Sequence, residues 1–299
     1  MGMLQVVVGL VFVLLLLSLL ATTIMELLSS MFSLRGRNLE KALRNMLAST
    51  DVDDKLLERF KNNSLYKQLS YKYGKKRENP SYISDKSFQS ILFDTILQGE
   101  GMEKLESKIE ELPDEDLKNV LKQFLEESDH KLDEFKVKVQ GWYNDIMDRA
   151  SGWYKRYTQK ILDGVGLTIA VVFNADTLAI YERLESDPET LQQVVNMAED
   201  FVSKNEDADL TSAENPEFQA KVDEIKSLID NQIENVKSPL GLGWKNVEWD
   251  KVTVYDALTK LLGWLVTALA VSLGAPFWFD LLRKLVNIRQ SGGKPEKST

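Results

Sequence analysis

No charged residue occurs between Met1 and Met25, and Val6–Leu20 is nearly unbroken Val, Leu and Phe. About 20 such residues cross a hydrocarbon core of roughly 30 Å, so the run predicts a transmembrane helix and ties the whole chain to a bilayer. A cleaved signal peptide would carry a basic segment ahead of a shorter apolar core. No Lys or Arg precedes this run, and an uncleaved anchor is expected.

Two further spans are expected. Leu261–Leu282 holds no charge between Leu261 and Phe279, with Lys260 and Arg283 at its ends. Pro276 removes a backbone donor and should kink that helix or end its regular part. Ile161–Tyr181 is more polar, with Asp163, Asn174 and Asp176. Charge distribution favours it as a span. Basic clusters follow the first run (Arg35, Arg37, Lys41, Arg44), precede Ile161 (Arg149, Lys155, Arg156, Lys160) and follow the last run (Arg283, Lys284, Arg289). All three share the cytoplasmic face only if 161–181 crosses the membrane. Residues 181–256 carry a net charge of −11 against +1 for 35–160, which agrees with an outer placement.

The expectation is therefore an all-α membrane protein with three transmembrane helices, a helical cytoplasmic region and a smaller helical extracytoplasmic region. Its parts are an anchor (1–34), a cytoplasmic helical region (35–160), a second span (161–181), an acidic extracytoplasmic region (182–256), a third span (257–283) and a basic cytoplasmic tail (284–299). The N-terminus would lie outside and the C-terminus in the cytoplasm.

Absences narrow the chemistry. The chain has no cysteine, so disulfides and thiolate catalysis are excluded. Its single histidine, His130, removes the Ser-His-Asp triad and poly-His metal sites unless another chain contributes. Glu126 and Glu127 precede His130 at helical spacing, but one Glu-x-x-His is a weak metal signal and a solvated surface histidine is expected. No cofactor is expected, and the net charge of −9 argues against nucleic acid as a partner. Polar groups at membrane depth mark Asn174, Asp176 and Asp280 as a possible intramembrane site, with helix–helix hydrogen bonding as the plainer role. Asp280 could instead pair with Arg283 or Lys284. Gly166 and Ala170 form a small-xxx-small pair that permits close helix contact. The basic stretch "SYKYGKKREN" at 70–79 could attract anionic head groups.

Helical spacing recurs in the soluble parts. Leu39, Leu43, Met46 and Leu47 make one stripe, and Phe88, Ile91, Leu92, Ile96 and Leu97 another. Asp187 before Pro188 reads as an N-cap, as does Asn215 before Pro216. "GWYNDIMDRASGWYKR" repeats Gly-Trp-Tyr eleven residues apart, about three helical turns, so both triplets share one face of a helix running into the second span. Trp153 and Tyr154 are close enough to Ile161 to anchor at the interface. Trp142 and Tyr143 lie further out and are expected to pack against the other cytoplasmic helices. Trp244, Trp249 and Trp278 flank the last span as further interfacial rings.

"SGWYKR", "FNADT" and "LLGWLVTALAVSLGAPFWFDLLRKLVNIR" resemble a family of bacterial inner-membrane proteins. The resemblance covers roughly residues 141–180 and 239–292. It implies a bacterial cytoplasmic membrane and spans at 161–181 and 261–282, and it carries over no catalytic residues. Three function classes remain: a non-catalytic scaffold or complex subunit that binds protein partners or itself, an oligomeric channel built on the polar second span, and a membrane enzyme. The sequence holds no acid, base and nucleophile set for the third.

Overall fold

The structure is a computed structural model that describes residues 2–48, 54–70, 72–73, 76–77, 79–205, 223, 227–244 and 253–291. The described chain is helical apart from a two-residue antiparallel pairing, Lys72 opposite Arg77 and Tyr73 opposite Lys76. It divides into two compact units: Met1–Met31 with Thr158–Thr299, and Phe32–Tyr157. The described residues of the acidic stretch 182–256 share a core with the N-terminal helix.

The N-terminal helix is α1 (Met3–Met31), and the unit Phe32–Tyr157 is built mostly from short helices: α2 (Leu34–Leu47), α3 (Lys55–Asn62) and α4 (Ser64–Leu69). Then come α5 (Asp85–Leu97), α6 (Leu105–Glu110), α7 (Glu115–Glu127) and the first part of α8 (Leu132–Val172). Start signals are side-chain caps that satisfy exposed N–H groups: Asn63 accepts from Leu65 N, Ser84 from Ser87 N and Asp114 from Leu117 N. The expected stripes face inward, and Leu39, Leu43, Leu47, Phe88, Ile91 and Leu92 are all buried.

Aromatic rings fill the centre of this unit. Phe88 stacks on Tyr143 with ring centroids 4.4 Å apart and touches Phe60 at 5.5 Å and Trp142 at 6.3 Å. The Tyr143 hydroxyl donates to the Ile83 carbonyl at 2.7 Å, and burial pushes its phenol well above the ordinary tyrosine range. The outer Gly-Trp-Tyr triplet is therefore a packed seam. Its inner counterpart differs, with Trp153 exposed and Tyr154 half-buried.

In the other unit α1 (Met3–Met31) is central. The remaining elements are the second part of α8, α9 (Thr177–Ser186), α10 (Pro188–Lys204), a π-helical turn (Ile229–Ile233), α11 (Glu234–Leu240), α12 (Val254–Ser272) and α13 (Ala275–Ser291). Asp187 caps α10 through Glu189 N and Thr190 N, with Pro188 in its first turn, as the sequence suggests. Asn215 and Pro216 lie outside the described residues.

No residue of α1 between Leu4 and Ser29 is exposed, because α9, α10, α12 and α13 pack around it. A helix that is hydrophobic all round is a buried one, and here protein supplies much of the cover. Gly9 permits close approach: a Cβ there would lie 3.3 Å from Leu184 and 3.4 Å from Val194. Lower down, Phe12 meets Phe201 at 5.8 Å, and the Ser18 hydroxyl donates to the Val271 carbonyl at 3.2 Å. The acidic α10 therefore lies beside the first half of α1 and not beyond its end.

By length and composition α1 and α12 are apolar enough to cross a membrane, and α8 with α9 passes jointly as a broken pair bent by 49°. The expected third span, 261–282, is not one helix. Gly274 adopts a left-handed φ of 88°, Pro276 sits in the first turn of α13, and the apolar helix is Val254–Ser272. The chain then folds onto α1 and α10: Phe279 meets Phe201 at 6.4 Å, and Arg289 pairs with Glu199 at 2.5 Å. This pair sets a residue of the region expected outside beside one of the basic tail expected in the cytoplasm.

The absence of cysteine makes the contact easy to check. A Glu199→Cys/Arg289→Cys chain is expected to form an intramolecular crosslink with a short bismaleimide in intact membranes. Formation of none, while each single cysteine still reacts, would contradict this packing.

Candidate functional site

The second expected span is interrupted at Phe173–Asp176, and its punctuation is legible atom by atom. Asn174 takes a left-handed φ of 50° and ends α8, a position that favours Gly and then Asn. Ala175 N bonds back to Ala170 O at 2.8 Å and Asn174 N to Val171 O at 3.1 Å, which satisfies the last carbonyls of the helix. Asp176 then opens α9 as its N-cap, accepting from Leu178 N at 2.9 Å and Ala179 N at 3.3 Å.

Two other segments close around the break. In the loop after α11, Gly243 N donates to Phe173 O at 2.7 Å and Gly243 O accepts from Asn174 Nδ2 at 2.8 Å. Trp244 Nε1 donates to Val171 O at 2.9 Å. Three hydrogen bonds thus tie this loop to the end of α8. From α12, Thr267 Oγ1 accepts from Thr177 N at 3.0 Å and meets Thr177 Oγ1 at 2.8 Å. Since the Thr267 hydroxyl donates to Gly263 O, it is Thr177 that donates to Thr267. Gly263 leaves the notch into which the Asp176 carboxylate fits. Gly166 crosses α12 so closely that its Cβ would lie 3.0 Å from Ala268 O, so this small residue serves a contact within the chain.

The outcome is a polar cluster inside an apolar unit, with Asn174, Asp176 and Thr177 each less than a tenth exposed. The first N–H groups of α9 are all taken, so the start of α9 offers no free donor for an anion. Two buried atoms, Asn174 Oδ1 and Trp264 Nε1, have no hydrogen-bond partner among the described residues. Trp264 packs edge-on against Trp244 with centroids 5.6 Å apart.

The other expected site residues lie elsewhere. Asp280 sits on α13 and pairs with Arg283 at 3.3 Å, the plainer of its two expected roles. Trp278 is buried, with Nε1 donating to Ala270 O at 2.6 Å across the α12–α13 turn. Trp244 is engaged at the helix break, and Trp249 lies outside the described residues. His130 is exposed, with Nδ1 3.4 Å from Glu106 Oε1, and no group of three metal-ligating side chains occurs among the described residues.

Reading the sequence missed Gly263, Thr267 and Gly243. The signal for the break was present as Asn174 two residues before Asp176-Thr177, a helix stop followed by a helix start. Nothing in sequence singled out Thr267, which sits in an otherwise apolar helix. No family model matches the chain, and no curated protein or solved structure matches it either.

Proposed function

We propose that the protein is a non-catalytic integral membrane scaffold or complex subunit. It is held in a bilayer by the unit around α1 and recruits protein partners or further copies through its helical regions, without nucleic acid. The observation that carries this reading is the outer face of α12. Leu258, Leu261, Leu262, Leu265, Val266, Leu269 and Leu273 are all exposed along it, and with Phe277 they form a stripe no water-facing helix would keep. Lipid hydrocarbon is its natural cover.

The polar break supports a structural role over a conducting one. Asp176 and Thr177 are spent on a cap and on α12, whereas a pore would need them turned to water. The ion pair between Glu199 and Arg289 favours a topology in which α10 and α13 share one face. A bacterial cytoplasmic membrane is the setting that the sequence resemblance implies.

Mild detergent extraction followed by size determination tests the reading. The protein is expected to resist a carbonate wash and to run as a complex well above its 34.1 kDa. A partner-free monomer would overturn the scaffold. Ion flux through reconstituted vesicles that Asp176→Asn alters would replace it with the channel.

A further inference from the structure

In the unit Phe32–Tyr157, α2 and α8 are joined where Asn38 Nδ2 donates to the Ala150 carbonyl at 3.1 Å. Beside that bond lies an open cleft of about 480 Å³, lined by Arg35, Tyr82, Asp148 and Tyr154, with Leu39 and Met147 as apolar lining. Polar groups of the cleft are engaged internally: Asn38 by this bond, Tyr143 by its bond to Ile83 O, and Asn144 by donating to Asp85 Oδ2 at 3.3 Å. The charged ones are not. Neither Arg35 nor Asp148 has an ion-pair or hydrogen-bond partner among the described residues, including each other. Tyr82 is 73% exposed and contributes its ring to the rim without a place in the core.

The cleft therefore presents one cation and one carboxylate held apart, among tyrosines. A guanidinium matches a phosphate through a planar fork of donors. A carboxylate in a cleft that tyrosines also line suits a primary ammonium, by charge and by cation–π attraction. A purely anionic ligand would oppose Asp148, and a purely cationic one Arg35, so the lining selects against both. The same two helix segments also carry Arg37, Arg149 and Arg156, whose field draws phosphate-bearing molecules.

We propose that this cleft binds a phosphoethanolamine group, with phosphate on Arg35 and ammonium on Asp148. That group comes either from an aminophospholipid headgroup or from free phosphoethanolamine. The lipid source is favoured because the same chain carries helices apolar enough to cross a membrane. Only this choice of source rests on the membrane reading above. The headgroup chemistry stands on the cleft.

The test is native mass spectrometry of the delipidated full-length protein in mild detergent, titrated with three probes: short-chain phosphatidylethanolamine, short-chain phosphatidylglycerol and free phosphoethanolamine. Phosphatidylethanolamine is expected to bind at least about tenfold more tightly than phosphatidylglycerol. Arg35→Gln should weaken both lipids about tenfold, while Asp148→Asn should abolish the preference and leave phosphatidylglycerol unchanged. Both side chains are on the surface, and unchanged circular dichroism would show that the variants fold. Equal binding of the two lipids, unmoved by either substitution, would overturn the proposal. Free phosphoethanolamine binding as tightly as the lipid would keep the cleft chemistry and overturn the lipid source. That arm needs no membrane, so its failure is separate from failure of the scaffold reading.

Discussion

Gly263→Leu is expected to destabilise the unit around α1 by on the order of 4 kcal/mol, combining an overpacked contact with a lost cap. A Cβ at position 263 would lie 1.8 Å from Asp176 Oδ1 and 2.3 Å from its Cγ, so any side chain must evict the carboxylate. That carboxylate is not free to swing. It is held by Leu178 N and Ala179 N, and the residue is only 7% exposed. Eviction leaves two helix N–H groups unmet and a charge to be placed elsewhere in an apolar unit. Thermal unfolding in detergent measures the effect. Gly263→Ala should already cost part of it, and adding Asp176→Ser should recover some of that loss by shortening the opposing side chain. A Gly263→Leu protein within about 0.5 kcal/mol of the parent would show that the notch is not a real constraint.

Phe88→Ala is expected to cost the other unit about 3–5 kcal/mol, the usual range for deleting a buried ring. Phe88 has no exposed surface and lies between Phe60, Trp142 and Tyr143, so its removal opens a cavity bounded by rings that cannot easily close it. Part of the loss is the stacking with Tyr143, worth about 0.5–1.5 kcal/mol beyond area. Phe88→Leu keeps most of the volume and should lose much less. Denaturant unfolding of the full chain, read through near-ultraviolet circular dichroism, separates the two. Equal losses for Ala and Leu would mean that packing volume is not what Phe88 supplies.

Helices α2 and α5 were legible because each carries its own periodic stripe: Leu39, Leu43 and Leu47 repeat every four residues, as do Phe88, Leu92 and Ile96. The caps at Ser84 and Asp114 came from the structure, where each accepts from a first-turn N–H group. The packing of Trp142 and Tyr143 against the other helices of their unit was also legible, because distance along a helix is arithmetic. The helix break was half legible. Asn174 and Asp176 drew attention as costly polar groups in an apolar segment, and they prove to be a helix stop and a helix start.

What the sequence by itself determined was composition by segment: where apolar runs lie, where helices begin and end, and which chemistries lack their residues. What only the tertiary structure decided was who covers whom. A run such as α1 is equally apolar whether lipid or protein surrounds it, because burial of hydrocarbon is non-directional and leaves no mark of the partner. Packing alone assigned α10 and α13 to that role, turned Trp278 inward and brought Glu199 against Arg289. The helix expected from Leu261 onward is interrupted for a local reason, Gly274 and Pro276. The pairing of Glu199 with Arg289 has a distant one, because contacts between positions 90 residues apart are written in no segment's own pattern.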